Sequence, residues 1–264
     1  MKRMTALFLT ALVVFAAASC SGTKTPQIAA EIASSDEALF REGEKYVKKD
    51  REKARLYYRQ VIDSFPKGFY AQRAKLAIAD SYYDEGDEGN MLLAASEYRE
   101  FVSLYPTSPS APYAQYRIAM TFYEKTAKPG REQTKTVQAI AEFKKVLALF
   151  PLSDEAKQAR DKIKECEDLY AEHLFSIAEF YYKTTAYGAA VSRLNEILTN
   201  YPFYTGLNKV FFYLGAAYDK GGLPEKSIPY YTKVVTDYPK SKLASKAQER
   251  LKILKSLPPP NEKK

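Results

Sequence analysis

The apolar positions of the chain recur in a fixed order that ends, five times, in an aromatic residue followed by proline. The residues five and eight places before each proline are large and apolar, and the residue twelve places before it is small. These offsets lie on one face of an α-helix, with the small residue where a neighbouring helix can approach. Proline ends such a helix because it lacks a backbone N–H and disfavours helical geometry in the preceding residue. The five pairs are Phe65-Pro66, Tyr105-Pro106, Phe150-Pro151, Tyr201-Pro202 and Tyr238-Pro239.

A second helical pattern precedes each of these helices. A small residue follows an apolar one, and an aromatic residue stands three places further on, as in Ile78, Ala79 and Tyr82; Gly43 and Tyr46 correspond in the first unit. The same pattern recurs in Ile118-Ala119 with Phe122, Ile177-Ala178 with Tyr181, and Leu214-Gly215 with Tyr218. In both helices the chain resembles tetratricopeptide repeats. The resemblance implies an all-α fold, a superhelical solenoid of five tetratricopeptide-like helical hairpins that offers a concave binding surface.

The spacing of the prolines sets the expected boundaries. We expect repeats at about 36–66, 69–106, 109–151, 153–202 and 204–239, then a capping helix over 241–257 and a disordered tail over 258–264. The fourth repeat differs: Ile177 lies 26 positions after Pro151, whereas the corresponding distance is 12 positions in the second, third and fifth repeats. The 14 additional residues contain no Gly or Pro. They predict a first helix that begins near Ser153 and is about four turns longer than the others.

The capping helix is amphipathic. Its pattern predicts that Ala247, Leu251 and Leu254 pack on the last repeat, whereas Lys242, Lys246 and Arg250 face solvent.

The N-terminal segment has the features of a secretory signal. Lys2 and Arg3 precede fourteen uncharged residues from Thr5 to Ala18, and small residues stand before Cys20. This run is shorter than the about 20 residues that a spanning helix needs, so residues 1–19 predict a cleaved signal peptide. The segment resembles bacterial lipoprotein precursors, which implies that Cys20 is lipidated, with acyl chains such as palmitate. Residues 20–35 are small and polar and predict a flexible tether. The alternative is a plain exported protein with an incidental cysteine.

Composition excludes several kinds of chemistry. The chain has one His and two Cys, too few for a zinc ribbon or a disulfide framework. His173 and Cys166 stand seven residues apart on one predicted helix, a rise of about 10.5 Å that is too long for a shared metal. We expect a structural role for both. No Gly-rich phosphate loop or calcium loop occurs, and the single His leaves no convincing Ser-His-Asp set. We therefore expect a protein that is not an enzyme and has no cofactor or metal site.

The net charge is +8 and is concentrated at the C-terminal end. From Leu223 onward there are ten basic and four acidic residues. A solvated capping face accounts for this excess; contact with an acidic partner or with anionic lipid is the alternative. Nucleic acid is not an expected partner, because export would separate the chain from it.

The fourth repeat carries the most specific resemblance. Residues 177–202 (IAEFYYKTTAYGAAVSRLNEILTNYP) are similar to the fourth repeat of the BamD family, the lipoproteins of the outer-membrane β-barrel assembly machinery. In that family the repeat docks on the last periplasmic domain of the barrel-forming subunit, and a basic side chain that corresponds to Arg193 makes an ionic contact with it. Residues 182–185 depart from the Arg-Gly turn that is usual there.

The resemblance implies an outer-membrane lipoprotein scaffold that is lipid-anchored through acylated Cys20 and faces the periplasm. It would bind the barrel-forming assembly subunit and assist the delivery and insertion of unfolded outer-membrane protein precursors. The alternative function is a repeat-containing periplasmic lipoprotein scaffold for cell-wall or division machinery, although such proteins more often add a coiled coil. A surface-exposed glycan-binding lipoprotein is a third and less favoured possibility.

Overall fold

The computed structural model describes residues 30–256, and every regular element in that range is a helix. Signal residues 1–19, Cys20 with the start of the tether, and the tail over 258–264 lie outside the described residues. The helices are α1 (Ala30–Ala33), α2 (Asp36–Glu44), α3 (Arg51–Ser64), α4 (Phe69–Glu85), α5 (Glu88–Leu104), α6 (Ala111–Tyr123), α7 (Thr134–Leu149), α8 (Asp154–Lys183), α9 (Tyr187–Asn200), α10 (Leu207–Lys220), α11 (Pro224–Asp237) and α12 (Lys242–Ser256).

Consecutive helices pack against one another from α2 to α12, so the chain forms five hairpins followed by one further helix. The first helices of successive repeats also touch at α2/α4, α6/α8, α8/α10 and α10/α12. Among the described helices, no two second helices make comparable contact. The first helices therefore line the inner side of the superhelix, and the prediction of an all-α tetratricopeptide-like solenoid is confirmed.

The repeated residues of the sequence form the core. The aromatic or leucine position eight residues before each proline is buried in all five second helices, and so is the small position. Each aromatic residue of the aromatic–proline pairs ends its helix; Phe65, for example, donates its backbone N–H to the Val61 carbonyl at 2.9 Å. The buried sets are Tyr58, Tyr98, Phe143, Leu194 and Tyr231, with Ala54, Ala94, Ala139, Ala190 and Ser227.

Helix α8 is the long helix that the spacing predicts, with 30 residues. It begins after Ser153, whose hydroxyl accepts a hydrogen bond from the Ala156 backbone N–H at 3.1 Å. Two acidic residues in its first turn, Asp154 and Glu155, complement the positive end of the helix dipole. A helix of this length extends about 45 Å, well beyond its neighbours of 13 to 16 residues.

The two ends of the solenoid differ in detail from the sequence pattern. Residues 30–33, within the segment assigned to the tether, form α1, and partly buried Ile32 packs on the first core cluster. In α12, Ala247, Leu251 and Leu254 are buried as predicted, and Lys242 and Lys246 are exposed. Arg250 is also on the solvent side, with its side chain 41% exposed, and its Nη2 donates to Asp219 Oδ1 on α10 at 2.9 Å. The Asp219 carboxylate belongs to a neighbouring helix, so the periodicity of α12 alone cannot indicate this pair.

Candidate partner-binding surfaces

Helix α8 joins two separate hydrophobic cores. Its first half packs on α6 and α7, and its second half packs on α9 and α10. The first core includes Ala156, Ala159, Ile163 and Cys166, and the second includes Ala171, Leu174, Phe175 and Ala178. On one side of α8, α7 begins near Tyr170. On the other side, α9 ends near Tyr170, whose ring lies 5.8 Å from that of Tyr201. The extra four turns of α8 thus leave its middle partly uncovered.

A cleft of about 440 Å³ occupies this position. The α6–α7 connection closes one side, since His173 Nδ1 lies 2.6 Å from the Pro129 carbonyl oxygen, to which its N–H donates. The Gln133 side-chain amide donates to the carbonyls of Lys128 and Arg131, which fixes the same loop. The cleft is lined by Glu132, Gln133, Thr134, Val137, Gln138, Tyr170 and His173. With both apolar and polar lining residues, it is suited to receive side chains of a binding partner.

Arg193 lies on α9 beside this region. It is off the buried stripe of α9, its side chain is 45% exposed, and its Nη1 donates to Glu196 Oε2 at 2.7 Å. That hydrogen bond raises the pKa of the guanidinium, and the phenols of Tyr181 and Tyr170 act on it in the same direction. Arg193 therefore forms a local ion pair with Glu196, the arrangement that the sequence offers as the alternative to an ionic contact with a partner protein. The contact with a barrel-forming subunit stays a prediction.

Glu179, the other acid within local reach of Arg193, is engaged elsewhere. Its carboxylate lies 2.9 Å from Lys183 Nζ and accepts a hydrogen bond from the Tyr213 hydroxyl at 2.9 Å. Lys183 is the main cause of its lowered pKa, with Tyr213 adding to it. Within residues 30–256, the carboxylate that pairs with Arg193 is that of Glu196.

The turn between α8 and α9 borders a second cleft, of about 510 Å³. Thr185 in this turn has a φ of 64°, in the left-handed region that β-branched residues rarely adopt. The cleft lies between the start of α9 and the end of α10 and includes Tyr187, Val191, Tyr218 and Leu223. The departure from an Arg-Gly turn therefore places a threonine where glycine would be unstrained.

Tyrosines and carboxylates link successive first helices on the inner side. Tyr113 of α6 donates to Asp80 of α4 at 2.7 Å, and Tyr213 of α10 donates to Glu179 of α8. Burial, followed by Glu179, raises the pKa of Tyr213 to about 12. Further links are Lys209–Glu172 at 2.6 Å, Tyr123–Glu165 at 2.5 Å and Arg117 stacked 3.5 Å over the Tyr83 ring. Many polar groups of the inner side are thus satisfied internally. Sequence analysis missed these links; the tyrosines on the first helices were the available signal.

Cys166 and His173 occupy different surroundings. Cys166 is buried in the core between α6, α7 and α8, and burial raises the pKa of its thiol to about 12. A thiol held neutral in this way is a poor nucleophile and a poor metal ligand.

Within residues 30–256, no group of three or more His, Cys, Asp and Glu side chains is arranged to hold a metal ion. Nor does that range contain a helix long and apolar enough to cross a membrane.

The fold and the interhelical clefts define a tetratricopeptide-like repeat protein with surfaces suited to protein binding. More particularly, the chain belongs to the YfiO family of outer membrane lipoproteins, whose family model matches residues 32–230. The resemblance to the BamD family is thereby confirmed.

Several curated relatives are called outer membrane protein assembly factor BamD. The protein from Caulobacter vibrioides is 30% identical over 172 residues, which are 65% of this chain and 55% of that protein. The protein from Rickettsia prowazekii is 25% identical over 258 residues, covering 95% of this chain and 97% of its own length. The chain spans about half the length of the Caulobacter relative and of the Xylella fastidiosa relatives, of which it covers 53%.

Among solved structures, the chain is similar to the TPR2AB domain of yeast Sti1 in complex with an HSP90 peptide. The TM-score is 0.49 at 16% identity, over 84% of this chain and 83% of that one. A thermophilic tetratricopeptide protein from Thermus thermophilus gives a TM-score of 0.33 at 14% identity, over 84% of this chain and 100% of that one.

Proposed function

We propose that this protein is a non-enzymatic scaffold of the outer-membrane β-barrel assembly machinery. It is anchored by lipid on Cys20, faces the periplasm, binds the periplasmic domain of the barrel-forming subunit and assists the delivery and insertion of unfolded precursors. The observation that carries this proposal is the family match over residues 32–230, together with relatives that are called outer membrane protein assembly factors. The repeat fold supports it, because a solenoid presents an extended concave surface for binding other proteins.

The middle of α8 is the proposed docking surface for the barrel-forming subunit. It combines an apolar cleft lined by Val137 and Tyr170 with the exposed cation of Arg193. An exposed pair three residues apart on a helix contributes only about 0.3–0.5 kcal/mol, so Arg193 can exchange Glu196 for a carboxylate of the partner at little cost. The planar guanidinium can then hold that carboxylate through two hydrogen bonds while apolar groups fill the cleft.

Co-purification from detergent-solubilised membranes tests the proposal. The protein should retain a barrel-forming partner, and Arg193→Ala should weaken that binding more than about tenfold, which corresponds to about 1.4 kcal/mol. The matched control is Lys233→Ala on α11, since Lys233 is 49% exposed and pairs locally with Asp237 at 3.0 Å. Both variants should keep their thermal stability within about 0.5 kcal/mol of the parent.

Two results would contradict the proposal at different levels. Recovery of the protein with cell-wall or division proteins, and without a barrel-assembly partner, overturns the function. Equal binding by the Arg193 and Lys233 variants leaves the function standing but removes Arg193 from the docking surface.

A further inference from the structure

The three most exposed large apolar side chains of the described residues all lie where one repeat passes to the next. Leu152 is 96% exposed, Phe203 is 84% exposed and Phe69 is 73% exposed. Leu104 and Leu149, the last residues of α5 and α7, are each 57% exposed and immediately precede such connections. Exposed apolar groups thus recur at successive connections, whereas the core positions of the same repeats are buried.

Four of these side chains share one edge of the solenoid. The two helices of a hairpin run in opposite directions, so a connection between repeats returns to the same edge when the two helices are of similar length. We call the first three of these connections the turn edge, defined by Phe69, Leu104, Leu149 and Leu152. The Phe203 connection is displaced, because the Thr205 backbone N–H donates to Asp168 Oδ1 at 3.0 Å. Asp168 lies fifteen residues along α8 from Ser153, a rise of about 22 Å.

The N-terminal segment reaches the solenoid at the turn edge. Asp36, the first residue of α2, is so close to Gly68 in the first connection that a Cβ atom on Gly68 would lie 2.6 Å from the Asp36 carboxylate. Cys20 and Ala30 are only ten positions apart, a chain length of at most about 36 Å when extended. A lipid on Cys20, which is part of the proposed function, would therefore hold the bilayer near this edge.

We propose that the turn edge lies on the lipid surface, with Phe69, Leu104, Leu149 and Leu152 in contact with the boundary between headgroups and acyl chains. Exposed Thr107, an uncharged residue of the second connection, suits hydrogen bonding to headgroups. The edge carries both Lys67 and Asp63, so apolar insertion rather than net charge provides the attraction.

A bilayer fits this edge better than a folded partner does. The apolar side chains of one connection are separated from those of the next along the chain by a whole hairpin and by polar turn residues. Fluid lipid adapts to separate side chains, and an apolar surface typically enters about 5–10 Å into the boundary region. Helix α8 raises the Phe203 connection beyond that depth.

Tryptophan fluorescence tests the proposal directly, because the natural chain contains no Trp. The full acylated protein, carrying either Leu152→Trp or Phe203→Trp, is reconstituted into vesicles of phosphatidylethanolamine and phosphatidylglycerol with or without bromine on the acyl chains. The Leu152→Trp emission should shift to shorter wavelength and be quenched by brominated lipid. The matched Phe203→Trp variant, also highly exposed in a similar connection, should show neither effect. Adding Phe69→Ser and Leu104→Ser should reduce the quenching at position 152.

The outcomes separate the two proposals. Protein that fails to float with the vesicles overturns the lipid anchor itself. Protein that floats but shows no quenching at position 152, or equal quenching at positions 152 and 203, overturns the membrane contact alone. A shift at position 152 that depends on protein concentration and not on brominated lipid overturns it in favour of a second copy.

Discussion

Thr185 carries local backbone strain. It is the only residue other than glycine with positive φ in the described part of the chain, and its neighbour Thr184 has an ordinary φ of −89°. A non-glycine residue in the left-handed region is strained by about 1–2 kcal/mol. Glycine removes this strain, but part of the gain is lost because glycine makes the unfolded state more flexible. We predict that Thr185→Gly stabilises the protein by about 0.5–1 kcal/mol in urea denaturation.

Thr184→Gly is the matched control for this prediction. Thr184 has no strain to relieve, and its hydroxyl donates to the Phe180 carbonyl at 3.0 Å. The change should therefore destabilise the protein, by about 0.5–1 kcal/mol. If both threonine variants were equally destabilised, the strain at Thr185 would be disproved.

Burial of tyrosine hydroxyls predicts loss of stability at alkaline pH. Burial raises the pKa of Tyr58 to about 12 from its ordinary value of 10.0, with Glu44 adding to the shift. A group whose pKa is higher in the folded state contributes its full stabilisation of the fold at pH values below its unfolded pKa. It loses that contribution as the pH rises through its folded pKa. The free energy of unfolding should therefore decrease between pH 10 and about 12.

Tyr58→Phe tests the contribution of this one buried hydroxyl. The loss of stability between pH 10 and 12 should become smaller, because one buried ionisable group is absent. At pH 8 the variant should be within about 1 kcal/mol of the parent, which serves as the internal reference. An unchanged pH dependence would mean that Tyr58 stays neutral or that other tyrosines dominate unfolding.

At the scale of the helices, close approach depends on the small position that the repeat pattern singles out. Gly215 of α10 is buried, and a Cβ atom there would lie 2.9 Å from Cδ1 of buried Tyr231 on α11. Overpacking of this kind costs about 1–3 kcal/mol, more than the helix propensity that alanine adds. We predict that Gly215→Ala lowers the free energy of unfolding by about 1–2 kcal/mol, measured by thermal or urea denaturation.

Gly188→Ala provides the comparison. Gly188 lies in the first turn of α9, and a Cβ atom there would meet nothing within 4 Å. Alanine should stabilise this position by about 0.5–1 kcal/mol, through helix propensity alone. The opposite signs of the two changes are the test, and stabilisation by both would show that α10 and α11 can separate without cost.

At the scale of the whole molecule, α8 is the main connection between the two cores. Repeats couple only through their neighbours, so cooperative unfolding of the chain depends on this helix staying continuous. Leu169→Pro removes a backbone donor at the middle of α8 and costs about 3 kcal/mol or more. We predict two separate unfolding transitions in calorimetry for this variant, in place of one in the parent.

The control for this prediction uses the same substitution in the same helix. Asp154 is the first residue of α8, where a backbone N–H has no helical partner, and Ser153 before it is already extended, with φ −76° and ψ 161°. Asp154→Pro should therefore retain a single transition and lose less than about 1 kcal/mol. A single transition for Leu169→Pro as well would show that contacts other than α8 couple the halves.

The sequence by itself determined the number of hairpins, the ends of the second helices and the long helix α8. These features are local: helical periodicity, an aromatic–proline stop and a capping Ser153 act over a few residues, and the same signals occur five times. The Arg193–Glu196 pair was also foreseeable, because residues three apart on a helix are neighbours.

Only the tertiary structure decided which helices meet side chain to side chain. Three hydrogen bonds join residues that are far apart in the sequence. Arg250 bonds to Asp219 across 31 positions, Tyr113 to Asp80 across 33, and His173 to the Pro129 carbonyl across 44. The clefts around Tyr170 and the displacement of Phe203 from the turn edge depend in the same way on how far α8 extends past α7. Such contacts require the relative position of separate helices, which superhelical packing sets and which the periodicity of any one helix does not contain.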